Sequence, residues 1–220
     1  ITYGDWSSDV CSSDLIALTA TATPQVREDI VKQLRFREHR VFITGFSRPN
    51  LKFEVQHALS DPDRDRLLGE FLRETPGAGI IYSATRKGCE ELAPQLSAIT
   101  GRRVGMYHAG LEPDARRQVQ DAFMSGQTPI IVATNAFGMG IDKPDLRFVV
   151  HYNIPGTLEA YYQEAGRAGR DGLPSRCMLL YSHRDRRIQE FFIESAYPEP
   201  EVVEEVYDFL REIEIGRAHV

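Results

Sequence analysis

From Gly79 onward, short apolar runs alternate with longer amphipathic stretches. Gly79–Tyr82, Val104–Tyr107, Pro129–Ala133, Phe148–His151 and Arg176–Tyr181 have the length and composition of buried strands. Arg86–Ala98, Pro113–Met124 and Thr157–Ala165, which lie among them, have helical spacing. Strands apolar on both faces need cover on both faces. The pattern therefore predicts βαβ units around a parallel sheet flanked by helices, an α/β fold. Ligands of such sheets bind at the carboxyl ends of the strands.

The flanking regions are less regular. Ile16–Thr23 reads as the end of a buried strand running into a polar turn. Thr23-Pro24 is a helix start, with Thr as N-cap and Pro at the first helical position, and Val26, Ile30, Val31 and Leu34 form the stripe that follows. Val41–Thr44 reads as a short strand, and Phe46-Ser-Arg-Pro-Asn-Leu51 as a turn or linker. Asp61–Glu74 is a charged amphipathic helix carrying Leu67, Leu68, Phe71 and Leu72. Pro200–Ile213 puts Val203, Val206, Leu210 and Ile213 on one face and is read as the start of a further module. No internal repeat or low-complexity tract interrupts this order.

The two ends stand apart. Asp5–Leu15 reads DWSSDVCSSDL and has no hydrophobic period. One back-translation of it has a reverse complement encoding Glu-Ile-Gly-Arg-Ala-His-Val and then a stop, and Glu214–Val220 is that heptapeptide. The DNA resembles a sequencing-library adapter. Residues 1–15 and 214–220 are accordingly set aside from the fold, and the natural chain is expected to continue past both.

Composition then narrows the class. The chain has 220 residues, 42% hydrophobic and 26% charged, the balance of a soluble globular domain. No apolar run approaches the roughly 20 residues of a spanning helix, so no membrane association is expected. Three cysteines without a C-x-x-C pair exclude a disulfide framework and a local zinc knuckle, and fit a reducing compartment. Cys11 lies in the adapter-like run, while Cys89 and Cys177 read as small core residues. A net charge of −6 argues, by itself, against a nucleic-acid binder. That charge is concentrated at the ends: residues 1–15 carry −3 and 199–220 carry −5, leaving +2 on 16–198. The body of the chain therefore no longer argues against DNA.

Three stretches carry candidate chemistry. Gly79-Ile-Ile-Tyr-Ser-Ala-Thr-Arg86 sets Ser83, Thr85 and Arg86 between a strand and a helix, where hydroxyls and free N–H groups suit a phosphate. Equally, Ser83 is placed to cap the helix. Val132-Ala-Thr-Asn-Ala-Phe-Gly-Met-Gly-Ile-Asp142 ends a strand in a loop whose glycines permit close backbone approach. There Thr134 suits a phosphodiester and Asp142 a sugar hydroxyl, unless the stretch is an ordinary connection. Gln163-Glu-Ala-Gly-Arg-Ala-Gly-Arg-Asp-Gly172 is the strongest signal. Arg167 and Arg170 are three residues apart, so on a helical turn they point the same way. Guanidinium is permanently charged and binds phosphate oxygens in a fork, as an arginine finger in phosphoryl transfer must. The bland alternative is a solvated turn. His108, after a strand, is either a backbone contact or structural, and Tyr161 and Tyr162 are read as packing a helix onto the sheet. None of the four lysines, Lys32, Lys52, Lys87 and Lys143, follows a glycine, so the chain has no P-loop, and no Asp-Glu pair stands ready for Mg²⁺. It carries an arginine finger without the cradle that finger would serve.

Taken in order, Leu18-Thr-Ala-Thr21, Phe46-Ser-Arg-Pro-Asn50, Ile81-Tyr-Ser-Ala-Thr-Arg86, Tyr107-His-Ala-Gly110, Ala133–Asp145 and Gln163–Gly172 resemble the C-terminal half of the helicase core in the RecQ family of superfamily 2 DNA helicases. The resemblance spans nearly all of Ile16–Ser195. It implies a RecA-like, P-loop NTPase-type lobe, the second of two, with ATP and Mg²⁺ held mainly by the missing first lobe. Single-stranded DNA would cross both lobes, with translocation 3′ to 5′. Residues 16–45 would be the tail of the first lobe, with Thr19 and Thr21 coupling ATP state to DNA grip. Residues 46–195 would be the second lobe, and 196–213 the start of a truncated accessory region without the family's cysteine-rich zinc module. Ser83, Thr85, Arg86, His108, Thr134 and Asn135 would face DNA, Gly140 and Asp142 the nucleotide, and Gln163, Arg167 and Arg170 the γ-phosphate. The partners implied are single-stranded and duplex DNA, in the cytoplasm at the nucleoid if the source is bacterial. Two other readings stay open: an RNA helicase lobe of the same superfamily, whose last motif usually opens with His where this chain has Gln163, and a non-catalytic RecA-like binding domain.

Overall fold

The structure is a computed structural model and describes residues 15–19, 23–36, 38–43, 47–138, 141–196 and 200–212. The chain divides into two compact units, Ile1–Phe46 and Ser47–Val220.

In the first unit, α1 spans Pro24–Gln33 and starts where the sequence places it: the Thr23 hydroxyl accepts from the Val26 N–H. No residue of α1 is buried. Among the described residues neither expected strand is observed as a strand; residues 20–22 and 44 lie outside them. Leu15–Thr19 and Val41–Ile43 have no regular structure and are exposed. The reason is physical: a strand exists through hydrogen bonds to a neighbouring strand, and no described strand pairs with either segment.

The second unit is an α/β layer structure. Its elements are β1 Leu51–His57, α2 Asp61–Glu74, β2 Ala78–Tyr82, α3 Arg86–Thr100, β3 Val104–Tyr107, α4 Pro113–Met124, β4 Ile130–Ala133, β5 Leu146–His151, α5 Leu158–Ala165, β6 Ser175–Tyr181, α6 Asp185–Ala196 and α7 Pro200–Glu212. All strand pairs are parallel, in the order β1-β6-β5-β2-β4-β3.

Alternation along the strands feeds two cores. Ile81, Val132, Phe148, Val150 and Leu180 pack with Leu68, Phe71, Leu72, Cys89, Leu92 and Leu96 from α2 and α3. Their neighbours Ile80, Tyr82, Ile131, Ala133, Val149 and Cys177 face Phe123 of α4, Ala165 of α5 and Phe137. Cys89 and Cys177 are core residues, and burial pushes each thiol up to about 12.

Two elements go beyond the sequence reading. β1 alternates Leu51, Phe53 and Val55 with Lys52, Glu54 and Gln56, a period-2 signal that the charges obscured. It lies at the sheet edge and pairs with β6 alone. Helix α6 follows β6 directly and brings Asp185 into the interior. No helix among the described residues is long and apolar enough to cross a membrane.

Candidate nucleotide and nucleic-acid site

The carboxyl ends of β2, β4 and β5 open onto a cleft of about 560 Å³. It is lined by Ser83–Arg86 after β2, Thr134–Ala136 after β4, and Asn153–Gly156 after β5. The first two chemistry-bearing stretches thus meet here, and the third reaches the cleft only through Glu164. Thr85, Arg86 and Asn135 are exposed, whereas Ser83 and Thr134 are buried. The helix-capping role falls to Thr85: its hydroxyl accepts from the Gly88 N–H at 3.0 Å. Ser83 instead continues the sheet, its N–H donating to the Ala133 carbonyl at 2.9 Å.

A buried polar network fixes this loop from below. The Ala84 N–H donates to Asn153 Oδ1 at 3.0 Å, and Asn153 Nδ2 donates to Asp185 Oδ1 at 2.9 Å. The same Asp185 oxygen accepts from Arg64 Nη2 at 3.0 Å, and its other oxygen accepts from the Ile154 N–H. Arg64 also lies over the Tyr152 ring at 4.8 Å. Both charges are almost fully enclosed, so each depends on the other.

The third stretch forms a turn immediately after α5. Its N–H groups at Arg167, Ala168 and Gly172 bond to carbonyls three residues back. Arg167 and Arg170 do point the same way. Both reach the loop that follows β4: Arg167 Nη1 donates to the Gly138 carbonyl, and Arg170 Nη1 donates to Asp142 Oδ1 at 2.7 Å. A Cβ on Gly138 would stand 2.6 Å from Arg167 Nη2, so a side chain there would displace the guanidinium from the Gly138 carbonyl. Arg167 Nε is buried without a partner. The Arg170 side chain is 38% exposed and Asp142 81%.

This pair suits an incoming phosphate. Arg167 keeps an unmet buried donor, and Arg170 holds a carboxylate that solvent reaches freely, so an anionic oxygen has something to satisfy and something to replace. No cluster of three or more candidate metal ligands occurs among the described residues.

Between cleft and turn lies a stacked set. His151 stacks on Tyr82 with ring centroids 5.4 Å apart, and its Nε2 meets Glu164 Oε2 at 2.8 Å. Burial holds the Tyr82 hydroxyl well above its ordinary value, so it stays neutral and donates to the Phe137 carbonyl at 3.0 Å. Tyr161 packs its ring 4.8 Å from His151, on the sheet as expected.

The remaining expected site residues divide as follows. His108 is only 4% exposed, with Nε2 3.4 Å from Glu90, so it faces inward and offers no edge to a strand of DNA in this conformation. Its burial matches the structural alternative for this histidine. Gln163 is exposed on α5, and Thr19 is exposed in the first unit. Thr21 and Gly140 lie outside the described residues. Sequence reasoning missed Arg48, Asn50, Asn153 and Asp185. The first two stand in an Arg-Pro-Asn turn that was readable as a turn; nothing marks Asp185 as internal.

Residues 63–172 match the helicase conserved C-terminal domain model. The chain belongs to that helicase family. Among curated relatives it is 47% identical over 183 residues to the ATP-dependent DNA helicase RecQ of Bacillus subtilis, covering 83% of this chain and 30% of that protein. It is 44% identical over 176 residues to the RecQ-like DNA helicase blm-1 of Caenorhabditis elegans, covering 78% of this chain and 17% of that protein. The RecQ resemblance carried by the motifs therefore holds, and the helicase lobe spans less than a third of the length of these two relatives. Among solved structures, a DEAD box protein from Methanococcus jannaschii shares the RecA-like fold at 24% identity and a TM-score of 0.59, over 80% of this chain and 47% of that one.

Proposed function

We propose that this helicase lobe is the C-terminal motor half of an ATP-dependent 3′–5′ DNA helicase of RecQ type. The observation that carries the reading is the placement of Arg167 and Arg170 on one turn, both aimed at the Gly138–Asp142 side of the same loop. ATP, with Mg²⁺, would supply the phosphoryl group whose transfer to water drives the motor; its triphosphate would be held mainly by the first lobe. Arg167 and Arg170 would bind the terminal phosphate and stabilise charge developing there. For Arg170 this means exchanging Asp142 for a phosphate oxygen. Arg86 and Asn135, exposed at the cleft, would hold DNA phosphates, with Thr85 keeping the N-terminus of α3 in place. The names of the curated relatives favour DNA over RNA as the substrate.

Arg170→Ala in the full-length protein should lower DNA-stimulated ATP turnover on the order of 10³-fold, as loss of an arginine finger does. Turnover within a few-fold of the parent would refute the role. The lobe alone should hydrolyse no ATP, since it has no P-loop.

A further inference from the structure

We infer that Arg48 is a positioning residue for the two arginines: with Asn50, it clamps the turn that carries them to the strand of chain that enters the lobe. The inference rests on the finger reading above and goes beyond it, because Arg48 touches neither arginine's side chain.

Arg48-Pro49-Asn50-Leu51 is a β-turn closed by the Leu51 N–H on the Arg48 carbonyl at 3.0 Å. Proline at its second position presets the backbone. The turn lies just inside the boundary between the two compact units, and β1 begins at its end. Its two polar side chains both point at the Gly166–Leu173 segment. Arg48 Nη1 donates to the Gly166 carbonyl at 3.2 Å, and Nη2 donates to the Ala168 and Gly169 carbonyls, each at 2.9 Å. Asn50 Nδ2 donates to the Gly169 carbonyl at 2.8 Å and to the Leu173 carbonyl at 3.0 Å. The Asn50 carbonyl accepts from the Ser175 N–H at 2.9 Å.

These carbonyls lie in the turn just past the end of α5, beside the negative pole of the helix, which favours a cation. One planar guanidinium spans three of them, and its fork cannot be copied by the point charge of lysine. Gly169 sits between the two arginines with φ +56°, and its virtual Cβ would stand 2.6 Å from Asn50 Nδ2. The clamp therefore grips the residue whose backbone sets the angle between Arg167 and Arg170. A finger displaced by about 1 Å loses on the order of 10²-fold in rate. The clamp is how this lobe holds that angle, and it ties the angle to the segment through which any movement of the preceding unit must pass.

The test compares Arg48→Ala, Arg48→Lys, Asn50→Ala, Arg170→Ala and the Arg48→Ala/Arg170→Ala double variant in the full-length protein. Arg48→Ala should lower kcat for ATP about 10- to 100-fold, with KM for ATP and nucleotide-free binding of single-stranded DNA within about threefold. Arg48→Lys should recover little of the loss, and Asn50→Ala should show a smaller loss of the same kind. The double variant should be no slower than Arg170→Ala alone, because residues acting through one group are not additive. Independently of activity, amide hydrogen exchange over residues 166–173 should quicken in Arg48→Ala while β2 and β4 keep their protection. Unchanged turnover in Arg170→Ala would sink the finger reading and this one with it. A slow Arg170→Ala beside a fully active Arg48→Ala would sink this inference alone. So would unaltered exchange over 166–173, or an additive double variant. Should Arg48→Ala not fold, Asn50→Ala and Arg48→Lys carry the same comparisons.

Discussion

The arginine turn lies beside the amino ends of β5 and β6 and the cleft loop at the carboxyl end of β2, and the two are held by different means. The turn at Gly166–Gly172 is gripped mainly through neutral backbone carbonyls by side chains from another part of the chain, with one charge pair at its end between Asp171 and Arg147, and its own arginines remain partly accessible. The loop at Ser83–Arg86 is held through Asn153 by a carboxylate and a guanidinium buried beneath it. The difference matches what each must do. In the proposed role Arg170 would leave Asp142 to reach a phosphate, which calls for a fixed backbone and a side chain left to swing. The cleft needs fixed backbone and caps, so it is built onto the core itself. Damage to the two should therefore read out differently: in turnover for the turn, in stability for the loop.

The largest expected effect tests the loop. Asp185→Ala would leave Arg64 buried without its counter-charge and Asn153 without its acceptor, at a cost of about 3–5 kcal/mol in unfolding free energy. Urea denaturation of the wild type and the variant measures this. A loss under 1 kcal/mol would mean the network is not what fixes the loop.

Gly169→Ala should come next and strike the turn. A left-handed non-glycine residue costs about 1–3 kcal/mol, and here the new Cβ would also press on Asn50, Ser175 and the Leu173 carbonyl. The distinguishing expectation is that ATP turnover falls by more than this stability loss explains when measured well below the melting temperature. A variant that loses stability but keeps turnover would erase the contrast between the two regions.

Much of this architecture was legible, because the strands of the sheet centre are short apolar runs and helices α2, α3 and α5 begin at Ser or Thr caps. Thr85 and Thr157 hold those caps through side-chain bonds. The arginine pair was legible too, since three-residue spacing places side chains together whether the backbone is a helix or, as here, a turn. What failed did so for stated reasons. Leu15–Thr19 and Val41–Ile43 have strand composition, but composition supplies no partner. β1 has charged residues on one face, which mask its period of two. Arg48 and Asp185 lie 118 to 121 residues along the chain from the groups they bond, at Gly166–Gly169 and at Arg64, and no local pattern announces such a contact. Clamps and buried ion pairs are tertiary facts, visible only once the sheet has brought distant loops together.

The smallest expected effect asks whether the strand behind the clamp is anchored by charge. Directly after Arg48 and Asn50, β1 carries Glu54, which meets Arg176 of β6 in a fork, Oε1 to Nε at 2.8 Å and Oε2 to Nη2 at 3.0 Å. The Arg176 hydrogen bond holds the Glu54 carboxyl below its ordinary 4.5, with burial opposing. A depressed carboxyl stabilises the fold fully above its unfolded value, and the contribution is lost as pH falls through the lower folded value. Stability should therefore decline below about pH 4.5, in part through this pair, by no more than about 1 kcal/mol for a partly exposed bridge. Glu54→Gln should flatten that part of a urea-denaturation profile taken from pH 7 to pH 3. Hydrogen exchange over residues 166–169 should meanwhile stay slow, because the clamp bonds neutral carbonyls that acid does not titrate; past them, the Asp171 carboxyl is held below its ordinary 3.8 by its bond from Arg147 and answers to acid separately. If acid loosened that segment in step with the β1–β6 pair, the turn would depend on charge after all, and the two regions would differ less than their contacts imply.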